Sequence, residues 1–123
     1  MKTKFIIFVI IVVLVVGGFG VYLNKHPASK DLSGFTQCLK FSGALFYGAF
    51  WCPHCQAQKA LFGSAKQYLP YVECSNADNS QTQICIDKKI EGYPTWIFKD
   101  GSTLGGEQTL QTLADKTQCT LPQ

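Results

Sequence analysis

The sequence predicts an α/β domain of about four strands with flanking helices, set behind a single N-terminal transmembrane helix. Three features of the 123 residues carry that prediction. Short apolar or aromatic runs alternate with helical stretches in the order α-β-α-β-α-β-β-α. Two cysteines, Cys52 and Cys55, form a C-x-x-C pair where a strand gives way to a helix. Ahead of both, Phe5 to Leu23 carries no charge and is about as long as a helix that crosses a hydrocarbon core.

The N-terminal segment admits two readings. Met1-Lys2-Thr3-Lys4 is basic, as expected for a signal peptide or an uncleaved anchor. A cleaved signal has a shorter apolar region and a small-x-small site. The best such site here, Gly18-Phe19-Gly20, is followed by more apolar residues, so the anchor is preferred. Residues 1–4 then stay cytoplasmic under the positive-inside rule, residues 5–23 span the membrane and residues 24–33 form a linker containing Pro27. Lys25 and Lys30 on the far flank weaken that bias. The domain, residues 34–123, is placed on the extracytoplasmic side of the cell membrane as the C-terminal part of a single-pass protein.

Each element of the domain has a local cause. Phe35 to Phe41 reads as a short helix that stops before Gly43, and Ala44 to Phe50 as an apolar strand. A helix follows from Pro53 to about Leu69, kinked at Gly63, with Ala57, Ala60, Leu61, Ala65 and Tyr68 on one side. Pro70 starts the strand Tyr71 to Cys74, and Gln81 to Ile90 is the next helix. Thr95 to Lys99 is a strand, Asp100-Gly101 a tight turn, and Ser102 to Leu104 the hairpin partner. Leu110, Leu113 and Ala114 mark a closing helix. About a hundred residues suffice for one small core and are too few for two domains.

The net charge of +3 comes from eleven lysines and no arginine. Because the lysines are scattered, the charge reads as a solvated surface and argues against a nucleic-acid partner.

The C-x-x-C pair carries the chemistry. A helix start presents unpaired N–H groups and the positive end of the helix dipole, which favour a thiolate over a thiol. Pro53 suits the first helical turn because it has no N–H to leave unpaired. His54 adds a donor beside the sulfurs. Cys52 is thus the candidate attacking thiolate and Cys55, one turn on and more covered, the candidate resolving thiol, with Trp51, Pro53 and His54 tuning the pair. Two other readings stay open. Cys52, His54 and Cys55 are three potential zinc ligands, although no second C-x-x-C or H-x-x-x-H supplies another half, so no metal is assigned. A fixed bridge across two residues would constrain little chain entropy.

Six cysteines in so short a chain fit an oxidising compartment. With Cys52 and Cys55 set aside, three pairings of the rest exist. Cys74 with Cys85 is preferred, because a short polar excursion separates them, and Cys38 with Cys119 remains as a bridge closing a long loop. The alternative for that last pair is two separate buried thiols.

Phe50-Trp51-Cys52-Pro53-His54-Cys55, followed by Gly92-Tyr93-Pro94-Thr95-Trp96-Ile97-Phe98-Lys99-Asp100-Gly101, resembles the active-site segment and cis-proline strand of the thioredoxin superfamily over about Ser33 to Cys119. More closely, Tyr47 to Cys55, Gln58-Lys59, Leu61-Phe62-Gly63 and Tyr71-Val72-Glu73-Cys74 resemble the thioredoxin-like domains associated with bacterial and plant vitamin K epoxide reductase homologues. The resemblance implies a thioredoxin-like fold with a central mixed β-sheet. It implies Cys52 as nucleophile, Cys55 as resolving thiol, and a substrate-binding loop at Tyr93, Pro94 and Thr95, with Pro94 cis. Trp51, Tyr93 and Trp96 would rim the sulfurs, with core filling the equal alternative for Trp96.

Two departures bear on direction. The Pro-His pair between the cysteines is that of DsbA-type oxidases, which implies a stabilised thiolate and an oxidising disulfide. Phe46 stands where thioredoxins keep a buried acid, and Glu73 is the nearest substitute. The resemblance therefore implies a membrane-tethered oxidase without a cofactor beyond its own redox-active disulfide. It would act on cysteine-containing exported proteins and be reoxidised by a membrane quinone reductase of vitamin K epoxide reductase type. An extracytoplasmic reductase or isomerase, and a non-catalytic binding or metal-binding module, are the alternatives.

Overall fold

Four short strands build one sheet in the order β2-β1-β3-β4, with β1 (Leu45–Gly48), β2 (Tyr71–Glu73), β3 (Thr95–Ile97) and β4 (Thr103–Gly105). The computed structural model describes residues 2–24 and 30–123, with side-chain surroundings for 6–18 and 30–123. The sheet is mixed: β1 runs parallel to β2, and β3 pairs antiparallel with both β1 and β4. A helical crossover joins the parallel pair, and the Asp100-Gly101 turn, with Gly101 at φ +80°, joins the hairpin.

The helices are α1 (Lys2–Asn24), α2 (Ser33–Phe41), α3 (Pro53–Ala60), α4 (Gln83–Asp87) and α5 (Leu110–Thr117). Phe35 and Leu39 of α2, Phe46 of β1, Phe62, Ala65, Trp96 of β3, Phe98, and Leu113 of α5 form the main core. At its centre Phe46 stacks on Trp96, with ring centroids 4.9 Å apart. A smaller cluster of Tyr47, Cys74, Cys85 and Ile90 lies under α4. Thr109 caps α5 by accepting the Thr112 N–H at 3.0 Å.

Two disulfides hold the periphery. Cys38 in α2 is joined to Cys119, just past α5, and Cys74, at the end of β2, is joined to Cys85 in α4. The first closes a loop with a sequence separation of 81, the second one of 11.

Several expected bounds are corrected. The helix expected from Pro53 to about Leu69 ends at Ala60, because Gly63 adopts φ +53° and breaks the ladder; residues Gly63–Tyr68 continue as a 3₁₀ segment. Its expected apolar face is also displaced. Ala57, Ala60, Leu61 and Tyr68 are exposed, whereas Cys55, Gln58, Phe62 and Ala65 face the core. The helix over Gln81 to Ile90 shrinks to α4, since Gln81 bridges back to Ser75 and Lys89 turns left-handed at φ 55°. Ser33, assigned to the linker, opens α2.

Helix α1 contains the span expected over residues 5–23, and its apolar side chains from Ile6 to Val16 are exposed. Among the described residues no helix is long and apolar enough to cross a membrane. The side chains of residues 19–23, within that expected span, and linker residues 25–29 lie outside those described.

Gly48 closes β1 at a tight point: a Cβ there would lie 2.8 Å from Cys55 Sγ and 2.9 Å from Tyr71 Cε2. Neither neighbour is free to retreat, one being in α3 and the other in β2. Gly48→Ala is expected to cost about 1–3 kcal/mol through overpacking. Denaturant unfolding with the Cys38–Cys119 and Cys74–Cys85 bridges intact checks this, and an unchanged midpoint would refute it.

Candidate active site

Cys52 is the N-cap of α3, extended at φ −77° and ψ 119°, with Pro53 opening the helix. Strand β1 ends at Gly48, and Ala49, whose carbonyl accepts the Cys52 N–H at 3.1 Å, turns the chain into the helix. Both thiols are reduced and buried, Cys52 at 5% exposure and Cys55 at 0%. Cys52 is therefore the sulfur nearer to solvent. Its thiol donates to the Tyr93 carbonyl at 3.7 Å, and the Tyr93-Pro94 peptide bond is cis.

Burial pushes the Cys55 thiol up to about 12. The Ala49 N–H opposes that shift, and a hydrogen bond to Cys52 adds to it. A sulfur so placed stays protonated at neutral pH until a neighbouring charge or reaction partner draws the proton off.

The surroundings sort the expected site residues. Trp51 is exposed, meets Tyr93 edge-on at 6.0 Å, and donates from Nε1 to Ser75 Oγ at 2.8 Å. Cys52, Cys55, Trp51, Tyr93 and Pro94 thus converge. His54 projects to solvent and pairs through Nδ1 with Glu107 Oε1 at 2.6 Å. Thr95 donates its hydroxyl to the Gly92 carbonyl at 2.8 Å. Trp96 is fully buried against Phe46 and belongs to the core. Cys38, Cys119, Cys74 and Cys85 sit in the two bridges away from the free thiols. Among the described residues no group of three or more His, Cys, Asp or Glu side chains is arranged to hold a metal ion.

Three participants, two of them within the Gln58-Lys59 motif, had no role assigned from the sequence. Gln58, fully buried, accepts the Gln108 N–H at 2.6 Å and donates to the Gln108 carbonyl at 3.0 Å, clamping the loop before α5 to the active-site helix. Its spacing three residues after Cys55 was the available signal, masked by its polarity. Glu107 is distant in sequence from His54 and carried none. Lys59, one turn after Cys55, places its ammonium 3.3 Å from the Tyr71 ring centroid.

Glu73, named only as a substitute acid, is a junction. Its Oε1 accepts the Phe50 N–H at 3.1 Å and the Ser75 N–H at 3.0 Å, while Oε2 accepts the Tyr71 hydroxyl at 2.9 Å. It ties the segment before Cys52 to the end of β2.

A C-x-x-C dithiol at a helix start, facing the carbonyl that precedes a cis proline beside a four-stranded mixed sheet, defines the thioredoxin-like class of redox domain. The thioredoxin family model matches residues 43–118, and the chain belongs to that family. It is 48% identical over 86 residues to the thiol-disulfide oxidoreductase LTO1 of Arabidopsis thaliana, covering 66% of this chain and 23% of that protein. It is 35% identical over 66 residues to the thioredoxin domain-containing protein 5 homolog of Drosophila melanogaster, covering 46% of this chain and 15% of the relative. The chain thus spans under a quarter of the length of either curated relative. A solved thioredoxin of Malassezia sympodialis, Mala s 13, superposes with a TM-score of 0.42 at 22% identity, over 71% of this chain and 86% of that one.

Proposed function

We propose that this protein is a membrane-anchored, extracytoplasmic thiol–disulfide oxidoreductase that passes its Cys52–Cys55 disulfide to cysteine pairs in exported proteins. The observation that carries the reading is the juxtaposition of Cys52, at the N-cap of α3, with the Tyr93 carbonyl before Pro94. A substrate thiolate attacks Cys52 Sγ, the Cys52–Cys55 bond breaks onto Cys55, and a second substrate thiolate then displaces Cys52 from the mixed disulfide. The Tyr93 backbone and the Trp51 face are suited to an extended cysteine-bearing segment pairing beside the sulfurs. The name of the Arabidopsis relative, a thiol-disulfide oxidoreductase, agrees with this chemistry. No cofactor beyond the disulfide enters the scheme.

The direction rests on the Pro-His pair between the cysteines, which resembles DsbA-type oxidases, and on Phe46 in the place of a buried acid. The uncharged run Phe5 to Leu23 within α1, behind the basic Met1-Lys2-Thr3-Lys4, supports the anchor and an extracytoplasmic domain at the cell membrane. The resemblance to domains associated with vitamin K epoxide reductase homologues supports a membrane quinone reductase as the partner that reoxidises it. Tethering would hold both partners at one surface and raise their effective concentration.

The reduction potential of the full chain tests direction. Equilibrated in glutathione buffers and read by tryptophan fluorescence, it is expected between about −120 and −180 mV, the oxidising end for such domains. A value near about −270 mV would replace the oxidase by a reductase. No reversible transition would return the motif to a fixed bridge or metal ligand.

A further inference from the structure

Phe46 stands where the resemblance expects a proton-handling acid, and Tyr71, packed on Phe46 and covered by Lys59, lies beside Cys55. Tyr71, paired with Phe46 across β1 and β2, presents its ring edge to the same point above Gly48 that Cys55 Sγ crowds, at 2.9 and 2.8 Å from a Cβ position there. The absent side chain of Gly48 is what admits both. Lys59 lies one helical turn beyond Cys55 on α3, half-buried, with its ammonium over the Tyr71 ring. Glu73 fixes Tyr71 through its hydroxyl and is itself anchored by two backbone N–H groups.

We propose that Lys59 is the counter-charge for the Cys55 thiolate during disulfide exchange, with Tyr71 and Glu73 as the positioning residues that hold it there. The inference rests on the proposed function and deepens it, since it concerns the same dithiol. In the forward step a substrate thiolate forms a bond to Cys52 Sγ. The Cys52–Cys55 bond breaks, its electron pair stays on Cys55 Sγ, and a proton from solvent then neutralises that sulfur. In reverse, Cys55 gives its proton to solvent and attacks Cys52 Sγ. The mixed disulfide breaks, and the electron pair leaves on the substrate sulfur. Both directions pass through a buried Cys55 thiolate, which a nearby ammonium stabilises in a medium where solvent cannot.

The charged and titratable groups around Cys55 and Lys59 are Cys52 at the N-cap of α3, Tyr71 and Glu73 on β2, and Lys66 on the 3₁₀ segment, which faces Lys59. Burial, then the bond to Glu73, pushes Tyr71 up, so it stays a protonated donor. Burial pulls Lys59 down, while Glu73 and Cys55 favour its charged form. Of these groups Lys59 alone acts on Cys55 through a side-chain charge that favours the thiolate.

The reduced full chain, mixed with one equivalent of the chromogenic disulfide dithiobis-nitrobenzoate, separates the two steps. Attack by Cys52 releases a first coloured thiol and closure by Cys55 a second. Lys59→Met is expected to leave the first phase unchanged, to slow the second about tenfold, and to move its pH profile up by about one unit. Lys59→Arg should restore the second phase to within about threefold, because it keeps the charge over the ring. Lys59→Gln serves in place of Lys59→Met if that variant does not fold. A second phase in the neutral variants equal to wild type, or a Lys59→Arg variant as slow as they are, overturns the proposal. Release of one equivalent only from the wild type would instead overturn the exchange reading beneath it.

Discussion

Cys52→Ala is expected to lower thiol–disulfide exchange by at least about a thousandfold, the scale on which enzymes lose a nucleophile. Cys55→Ala should still attack and then stall. The asymmetry follows from burial and position: Cys52 caps α3 beside the Tyr93 carbonyl, whereas Cys55 is fully enclosed under Gly48 and Tyr71. A substrate can reach only the first sulfur, and without the second the mixed disulfide has no internal route to break. Non-reducing electrophoresis of the Cys55→Ala chain, its Cys52 thiol free, mixed with a disulfide-containing test protein should show a covalent adduct that dithiothreitol dissolves. The double variant should show none. An adduct formed equally well by Cys52→Ala would reverse the roles of the two residues.

The largest stability effect belongs to the bridge that closes the longer loop. Cys38 and Cys119 close a loop with a sequence separation of 81, for which the chain-entropy model gives about 4–5 kcal/mol. That is a large share of what holds a domain of this size. Replacing both cysteines by alanine should lower the unfolding free energy by about that amount, measured by denaturant titration with the active-site pair held as its disulfide in both proteins. Removing Cys74 and Cys85, whose separation is only 11, should cost about 3 kcal/mol on the same model. Those sulfurs also sit in the small core under α4, so packing loss adds to the entropic part. A Cys38/Cys119 double variant within about 1 kcal/mol of wild type would show that the unfolded chain is already compact around α2 and the C-terminal segment.

These effects share a design in which rigidity is supplied around the dithiol rather than at it. The Cys74–Cys85 bridge fixes the end of β2, where Glu73 holds the Phe50 and Ser75 N–H groups and Ser75 in turn holds Trp51. Gln58 anchors the middle of α3 to the loop before α5. The sulfurs themselves are held by lighter contacts, the Cys52 thiol to the Tyr93 carbonyl and the Cys55 thiol to the Ala49 backbone. Bond making and breaking between Cys52 and Cys55 therefore asks little of the surrounding fold.

Much of this was legible in the residues before any coordinates. The order of helices and strands, the C-x-x-C at a strand-to-helix junction and the turn at Asp100-Gly101 depend on local rules: periodicity, proline at a helix start and glycine with positive φ. Those rules act within a few residues and so can be read along a chain. What the tertiary structure alone decided was contact between distant segments. Gln58 faces the core because Gln108 and Trp96 come to meet its amide, a condition no helical periodicity encodes. The pairing of His54 with Glu107 and the crowding of Cys55 and Tyr71 over Gly48 likewise depend on how elements pack. Trp96 illustrates the difference most plainly, since an aromatic beside the cis proline could rim the site or fill the core. Stacking on Phe46, reached across the β1–β3 register, settled it as core.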